Sequence, residues 1–151
     1  MRLRLDVQYA TQAPDLPDKA ALAQWARAAL AGVPVSAEVT VRIVDEAESA
    51  ALNQRYRGKQ GATNVLSFPY EEAPATAGRL SGDLVICAPI VEREARAEGR
   101  PAVAHWAHMV VHGIMHLRGY DHIEEQEATV MEGLEVEVLR KLGFPNPYSD
   151  D

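Results

Sequence analysis

Residues 112–122 read HGIMHLRGYDH, and the rest of the chain is read outward from them. His112 and His116 are four residues apart, so on a helix they sit one turn apart on the same face. Two imidazoles at that spacing can grip one metal ion. Gly119 follows, and glycine most easily takes the left-handed conformation that ends a helix. The chain can turn back there and deliver His122 as a third ligand. Three protein ligands leave a fourth tetrahedral position open, which marks a catalytic rather than a structural zinc site.

All five histidines lie between 105 and 122. At about 100° per residue, His105, His108, His112 and His116 spread over roughly 80° of one helix surface. They cannot all bind one ion. His108 and His116 differ by about 12 Å along the axis, whereas each zinc–nitrogen bond is only about 2 Å. The third ligand therefore comes from outside the helix, and His122 is the one histidine placed to do so. A His108/His112 pair stays open as an alternative. The spacing is that of the metzincin proteases, H-E-x-x-H-x-x-G-x-x-H, with one difference. Their general-base glutamate is replaced by Gly113, which has no side chain. A protease of that type is disfavoured.

The chain has 151 residues, which predicts one domain with a real core. Hydrophobic residues make up 47% and charged residues 25%, the balance of a globular protein. The single cysteine, Cys87, excludes an internal disulfide, fits a reducing cytoplasm and is expected in a buried strand. MRLRLDVQY at the N-terminus alternates apolar with polar or charged residues and lacks the continuous apolar core of a signal peptide. No stretch is long enough to span a membrane. Net charge is −7, which by itself argues against nucleic acid as a partner. The average hides an asymmetry: residues 1–60 carry +1 and the remainder −8, so a local basic surface is available to an anion. Much of the acid runs from Glu124 to Glu137, the expected solvated face of a helix.

Taken in order, Arg2 to Val7 alternates and reads as a strand. Asp18 caps a helix carrying Leu22, Trp25, Ala26, Ala29 and Leu30 inward, ended by Gly32 and Pro34. Glu38 to Val44 is a second strand. Asp45 with Glu48 resembles a capping box that opens a helix to about Tyr56. Arg55, Arg57 and Lys59 then form the most basic stretch: a solvated helix end, or a phosphate contact. Thr63 to Phe68 is a third strand, with Pro69 at a sheet edge. Residues 71–78 are a loop near a cleft. Asp83 to Cys87 is a fourth strand, apolar enough to be buried on both faces. Pro89 opens a helix to about Glu98, and Pro101 opens the histidine helix. A final helix carries Ala128, Met131, Leu134, Val138 and Leu142 inward, and the tail from about 144 is expected to be loose. The order predicts an α+β domain over 1–151, with a mixed sheet of about four strands packed with about five helices.

HGIMHLRGYDH resembles the signature of the YbeY family, metal-dependent single-strand endoribonucleases of ribosomal RNA maturation. LNQRYRGKQGATNVLSFPY, GDLVIC and HWAHMVVHG resemble further blocks of that family, in the same order, over roughly residues 52 to 122. The resemblance implies that His112, His116 and His122 hold one Zn2+ and that Arg57 is the functionally required arginine. It also implies single-stranded ribosomal RNA as substrate, cytoplasmic location, and pre-ribosomal particles and an assembly GTPase as partners. Met115 stands where leucine is usual, and Asn64 where many members have aspartate.

On that reading a zinc with an open position acidifies water towards neutrality, while Arg57 holds the scissile phosphate through its planar fork. The base is unassigned: hydroxide on the metal, a ribose 2′-hydroxyl and His108 are candidates. Asp121 can orient a ligand imidazole or cap the next helix. Tyr56 and Tyr120 are candidates for stacking on a base, with core packing their more ordinary role. The rival readings are a metallohydrolase of another substrate class and a non-catalytic assembly factor with structural zinc.

Overall fold

The computed structural model describes residues 1–70, 78–120 and 124–149. Four strands and five helices occur among them, in the order β1 (Arg2–Ala10), α1 (Lys19–Ala29), β2 (Ser36–Val44), α2 (Glu46–Arg57), β3 (Val65–Pro69), β4 (Arg79–Cys87), α3 (Ala88–Ala97), α4 (Ala102–Leu117) and α5 (Glu125–Lys141). The strands form one mixed sheet in the order β1-β2-β4-β3. β1 and β2 run parallel, as do β2 and β4, while β3 runs antiparallel to β4. The fold is the small α+β domain that the sequence pattern predicts.

Local chemistry explains most boundaries. Asp18 accepts a 2.8 Å hydrogen bond from the Ala21 amide and so caps α1. Pro89 sits in the first turn of α3, where a missing N–H costs nothing. α2 differs from expectation at its start, because Asp45 makes no side-chain cap. Its Oδ1 accepts from Thr11 Oγ1 at 2.5 Å instead, and Glu48 pairs with Arg42 at 2.5 Å. An arginine across the sheet surface thus replaces the reciprocal capping bond. β4 lies between two strands and is apolar throughout its second half: Leu84, Val85, Ile86 and Cys87 are all buried. Burial pushes the Cys87 thiol pKa up, so the residue behaves as a small apolar side chain.

The main core lies between one face of the sheet and helices α1, α4 and α5, and a smaller cluster of Val44, Leu66, Val85 and Cys87 lies on the other face. α4 is the central element. It packs on α1, α3, α5, β3 and β4, and twelve of its sixteen residues are buried, so it has no solvated face of ordinary width. Of the tail from about 144, expected to be loose, residues 144–149 are described and fold back. Phe144 packs edge-on to Trp25 at 6.3 Å, and Tyr148 reaches Glu135 in α5.

Two glycines let α4 approach the sheet. A Cβ on Gly113 would lie 2.7 Å from Leu84 Cδ2 and 3.3 Å from Val65 Cγ2. A Cβ on Gly82 would lie 2.6 Å from Leu117 Cδ2 and 2.8 Å from the Phe68 carbonyl oxygen. The two contacts differ in kind. Leu84 can shift its side-chain tip, whereas the backbone at Phe68 cannot move without breaking strand pairing. Alanine at 113 also gains about 1 kcal/mol of helix propensity, which alanine at 82 does not. Gly82→Ala is therefore expected to destabilise by about 2–3 kcal/mol in urea unfolding, and Gly113→Ala by less than half of that. Gly113→Glu, which would complete the protease-type H-E-x-x-H, buries a carboxylate against leucine and valine. It is expected to cost more than either alanine and to confer no peptide cleavage.

Candidate metal centre and basic cleft

The histidines form one ridge along α4. His105 and His108 are buried, His112 and His116 partly exposed. His112 and His116 face each other with ring centroids 4.7 Å apart and Nε2 atoms 3.2 Å apart. Two nitrogens bound tetrahedrally at about 2.0–2.1 Å from one zinc ion would be separated by about 3.3 Å. The separation of the pair matches that of two ligands of one ion. α4 ends as expected: Gly119 has φ +97°, its amide donates to the His116 carbonyl at 3.0 Å, and the Tyr120 amide donates to the Met115 carbonyl at 3.1 Å. Those paired bonds define a glycine-terminated helix end that reverses the chain. His122 and Asp121, the expected third ligand and its neighbour, lie outside the described residues.

A second set of donors was missed in the sequence. Glu135 is wholly buried, on the inward face of α5 between Met131 and Leu139. Its Oε2 accepts from His112 Nδ1 at 3.0 Å, and its Oε1 accepts from His108 Nε2 at 2.8 Å and from the Tyr148 hydroxyl at 2.5 Å. The acidic run Glu124 to Glu137 reads as a solvated face, and most of it is. The signal that sets Glu135 apart is its spacing of four from Met131 and from Leu139, which places it on the apolar stripe. Burial alone would raise its pKa, but the hydrogen bonds from His108 and His112 outweigh that and hold it down at about 2. Burial lowers the pKa of His108, so this ring is neutral with its one proton directed at Glu135. Its buried Nδ1, which has no hydrogen-bond partner, then carries only a lone pair. Burial, with Glu135 beside it, pushes the Tyr148 hydroxyl up and keeps it a donor.

His108, His112 and Glu135 bring their donor atoms within 4.8 Å of one another and could hold a metal ion, the only such trio among the described residues. The pair His112/His116 differs from that trio in access. Both residues line a cleft of about 700 Å³, and neither His108 nor Glu135 does.

Arg57 lines the same cleft. It is the last residue of α2, and Gly58 beyond it takes the left-handed conformation that turns the chain. The loop that follows is pinned by Asn53 Nδ2 donating to the Gly61 carbonyl at 2.9 Å and by Ser49 Oγ donating to the Thr63 carbonyl at 3.0 Å. Arg57 Nη2 donates to the Ser67 carbonyl at 2.6 Å, and its guanidinium lies 5.5 Å from the Phe68 ring centroid. The hydroxyl of the same Ser67 donates to the Gly113 carbonyl at 3.0 Å. One residue of β3 thus ties the arginine to the histidine helix. Lys59 adds a second cation to the cleft, and Asn64 lies on its wall, with Nδ2 donating to Glu94, which also pairs with His105 at 2.9 Å. Tyr120 is half-buried against the main core, as expected. Tyr56 is not a core residue: it is 54% exposed and stands edge-on to Phe68.

The arrangement is a cleft with two metal-capable imidazoles and two cations, suited to an anionic substrate. A family model described as endoribonuclease YbeY matches residues 7–143. Endoribonuclease YbeY of Methylococcus capsulatus is 60% identical over 135 residues, which cover 89% of each chain. The fold is similar to the solution structure of TM1509 from Thermotoga maritima, with TM-score 0.59 and 24% identity over 97% of this chain and 99% of that one. At that identity the last likeness concerns architecture alone. The family match runs from the first strand to the end of α5 and has a 60% identical relative beside it, so the chain belongs to the YbeY endoribonuclease family.

Proposed function

We propose that this endoribonuclease holds one zinc ion on His112, His116 and His122 and cuts single-stranded RNA at that ion, with Arg57 clamping the scissile phosphate. We assign it to small-subunit ribosomal RNA maturation and ribosome quality control in the cytoplasm, with pre-ribosomal particles and an assembly GTPase as partners. The observation that carries the reading is the 3.2 Å separation of two imidazole Nε2 atoms that open onto the same cleft as Arg57.

When bound, the ion supplies Lewis acidity and positive charge. The chain supplies the rest. The imidazoles would add no negative charge of their own, and the carboxylate behind His112, Glu135, is turned away from the cleft, where Arg57 and Lys59 attract phosphate. Arg57 presents a planar fork that suits two phosphate oxygens, and its hydrogen bond to Ser67 fixes the direction of that fork. Charge that builds up on those oxygens is met by a group already in place, which is where preorganised donors contribute most. Lys59 draws the backbone in as a point charge. Tyr56, exposed beside Phe68, offers a face on which an unpaired base can stack, which favours single strands over duplex. His108 is not the base: its Nε2 is held by Glu135 and Tyr148, away from the cleft. With Gly113 at the protease glutamate position, no other side chain among the described residues of the cleft is assigned as the base, which leaves that role to the metal site; a ribose 2′-hydroxyl would be a nucleophile that itself has to give up its proton.

A single-stranded RNA incubated with purified protein, with and without chelator, tests this. Cleavage is expected with metal, loss on chelation, return on adding zinc, and little cutting of a duplex of the same sequence. Arg57→Ala is expected to slow cleavage by about 10²–10³-fold with zinc content and urea midpoint close to those of the parent. Arg57→Lys is expected to recover only part of that loss, since an ammonium lacks the fork. His116→Ala is expected to lose bound zinc and cleavage together. Unfolding on chelation with no turnover at any metal load would instead make the metal structural.

A further inference from the structure

A buried carboxylate is costly unless donors surround it, and a position between Met131 and Leu139 would take an apolar side chain at no such cost. Glu135 therefore needs a reason to be there, and its geometry supplies one. It gathers donors from three turns of the fold: His108 and His112, one helical turn apart on α4, and Tyr148 in the C-terminal segment. A neutral imidazole carries one proton. When Nδ1 of His112 donates that proton to Glu135, Nε2 is left with its lone pair. This is the nitrogen that stands 3.2 Å from His116 Nε2. The carboxylate thus decides which nitrogen of His112 can bind an ion, and it fixes the plane of the ring. His108 and Tyr148 both bind the other oxygen, so the carboxylate cannot rotate away.

We propose that Glu135 is the positioning residue of the metal site, setting the tautomer and ring plane of His112, and that Tyr148 locks Glu135 and so makes the C-terminal segment part of the site. The proposal rests on the reading of His112 and His116 as ligands. Carboxylates that hold a ligand imidazole in this way typically contribute a factor of ten to a hundred in metal affinity. Tyr148 acts one bond further out and contributes less. A tail that looks dispensable in the sequence is then a brace for the centre.

The experiment uses full-length protein labelled with 15N in its histidines. Side-chain nitrogen shifts of the metal-free protein read the tautomer of His112, and competition with a chromophoric chelator reads zinc affinity. Neither readout depends on RNA cleavage. The parent protein is expected to show His112 protonated at Nδ1. Glu135→Gln keeps the volume but cannot accept all three donors. Its zinc affinity is expected to fall about ten- to a hundredfold, with the His112 proton shared between both ring nitrogens. Tyr148→Phe, which leaves the core intact, is expected to shift both readouts in the same direction by less, and it carries the test if Glu135→Gln does not fold. Parent-like zinc affinity and a fixed Nδ1–H in a folded Glu135→Gln, or in Tyr148→Phe where that variant carries the test, would overturn the proposal while leaving the ligand reading intact. His116→Ala separates the two. If it leaves zinc affinity unchanged while Glu135→Gln abolishes it, the ion sits among His108, His112 and Glu135, and the ligand reading fails along with the positioning role.

Discussion

The close approach of α4 to β3 and β4 is the constraint on which the rest depends. A helix normally keeps its distance from a sheet because side chains stand between them. Here Gly113 on the helix and Gly82 on the strand remove that layer at two points. The gain is contact: Leu84 and Val65 meet the helix backbone directly, and Ser67 reaches the Gly113 carbonyl with its hydroxyl. The consequence is placement. Ser67 also accepts from Arg57, so a single residue of an edge strand sets the arginine relative to the histidine ridge. Precision of this kind is what a preorganised site requires, since a clamp displaced by about 1 Å can lose much of its effect.

The electrostatics follow from the same placement. The chain carries −7 overall, yet the cleft is lined by Arg57, Lys59 and two imidazoles. α5 carries a net −3 of that charge, and its charged residues are exposed or half-exposed apart from Glu135. An anionic substrate therefore meets a local field opposite to the average one. Debye screening at physiological ionic strength, about 8 Å, lets the near charges dominate over the far ones. Glu135 is the exception that fits the pattern, because its charge is enclosed by three donors rather than presented to the cleft.

Much of this was legible in the sequence, for definite reasons. Strands and helices announce themselves through periodicity and through Asp18, Pro89 and Gly119 at their ends. β4 could be placed inside the sheet because its last residues are apolar on both faces. Gly119 was readable as a helix end because a glycine just past an apolar helical run readily takes the left-handed cap. Four things were not legible. The Asp45/Glu48 pair looks like a capping box, but Arg42, close only in space, takes the glutamate. Tyr56 looks like core from its type alone, and only the packing of α2 on the sheet leaves it exposed. Glu135 hides inside an acidic run, and its partners come from 23 and 27 residues upstream and 13 downstream. Local patterns carry no information on contacts of that range. The tail failed for the same reason, since Tyr148 is anchored by a residue that itself looked solvated.

Spacing of histidines and chemistry of the site are separable here. H-x3-H-x2-G-x2-H specifies where nitrogens can be delivered: one turn of helix, then a reversal. It says nothing of the reaction, which depends on the residues around it. In a protease of that spacing the residue after the first histidine carries a carboxylate, and a helix with room on that side can accommodate it. In this fold the same position is pressed onto Leu84 and Val65 and has no room for a side chain as long as glutamate, so packing disfavours that base. What stands in the cleft instead is a guanidinium, a group that cannot accept a proton but can hold two oxygens of a phosphate. The core that brings α4 onto the sheet thus also decides which class of bond the site can address.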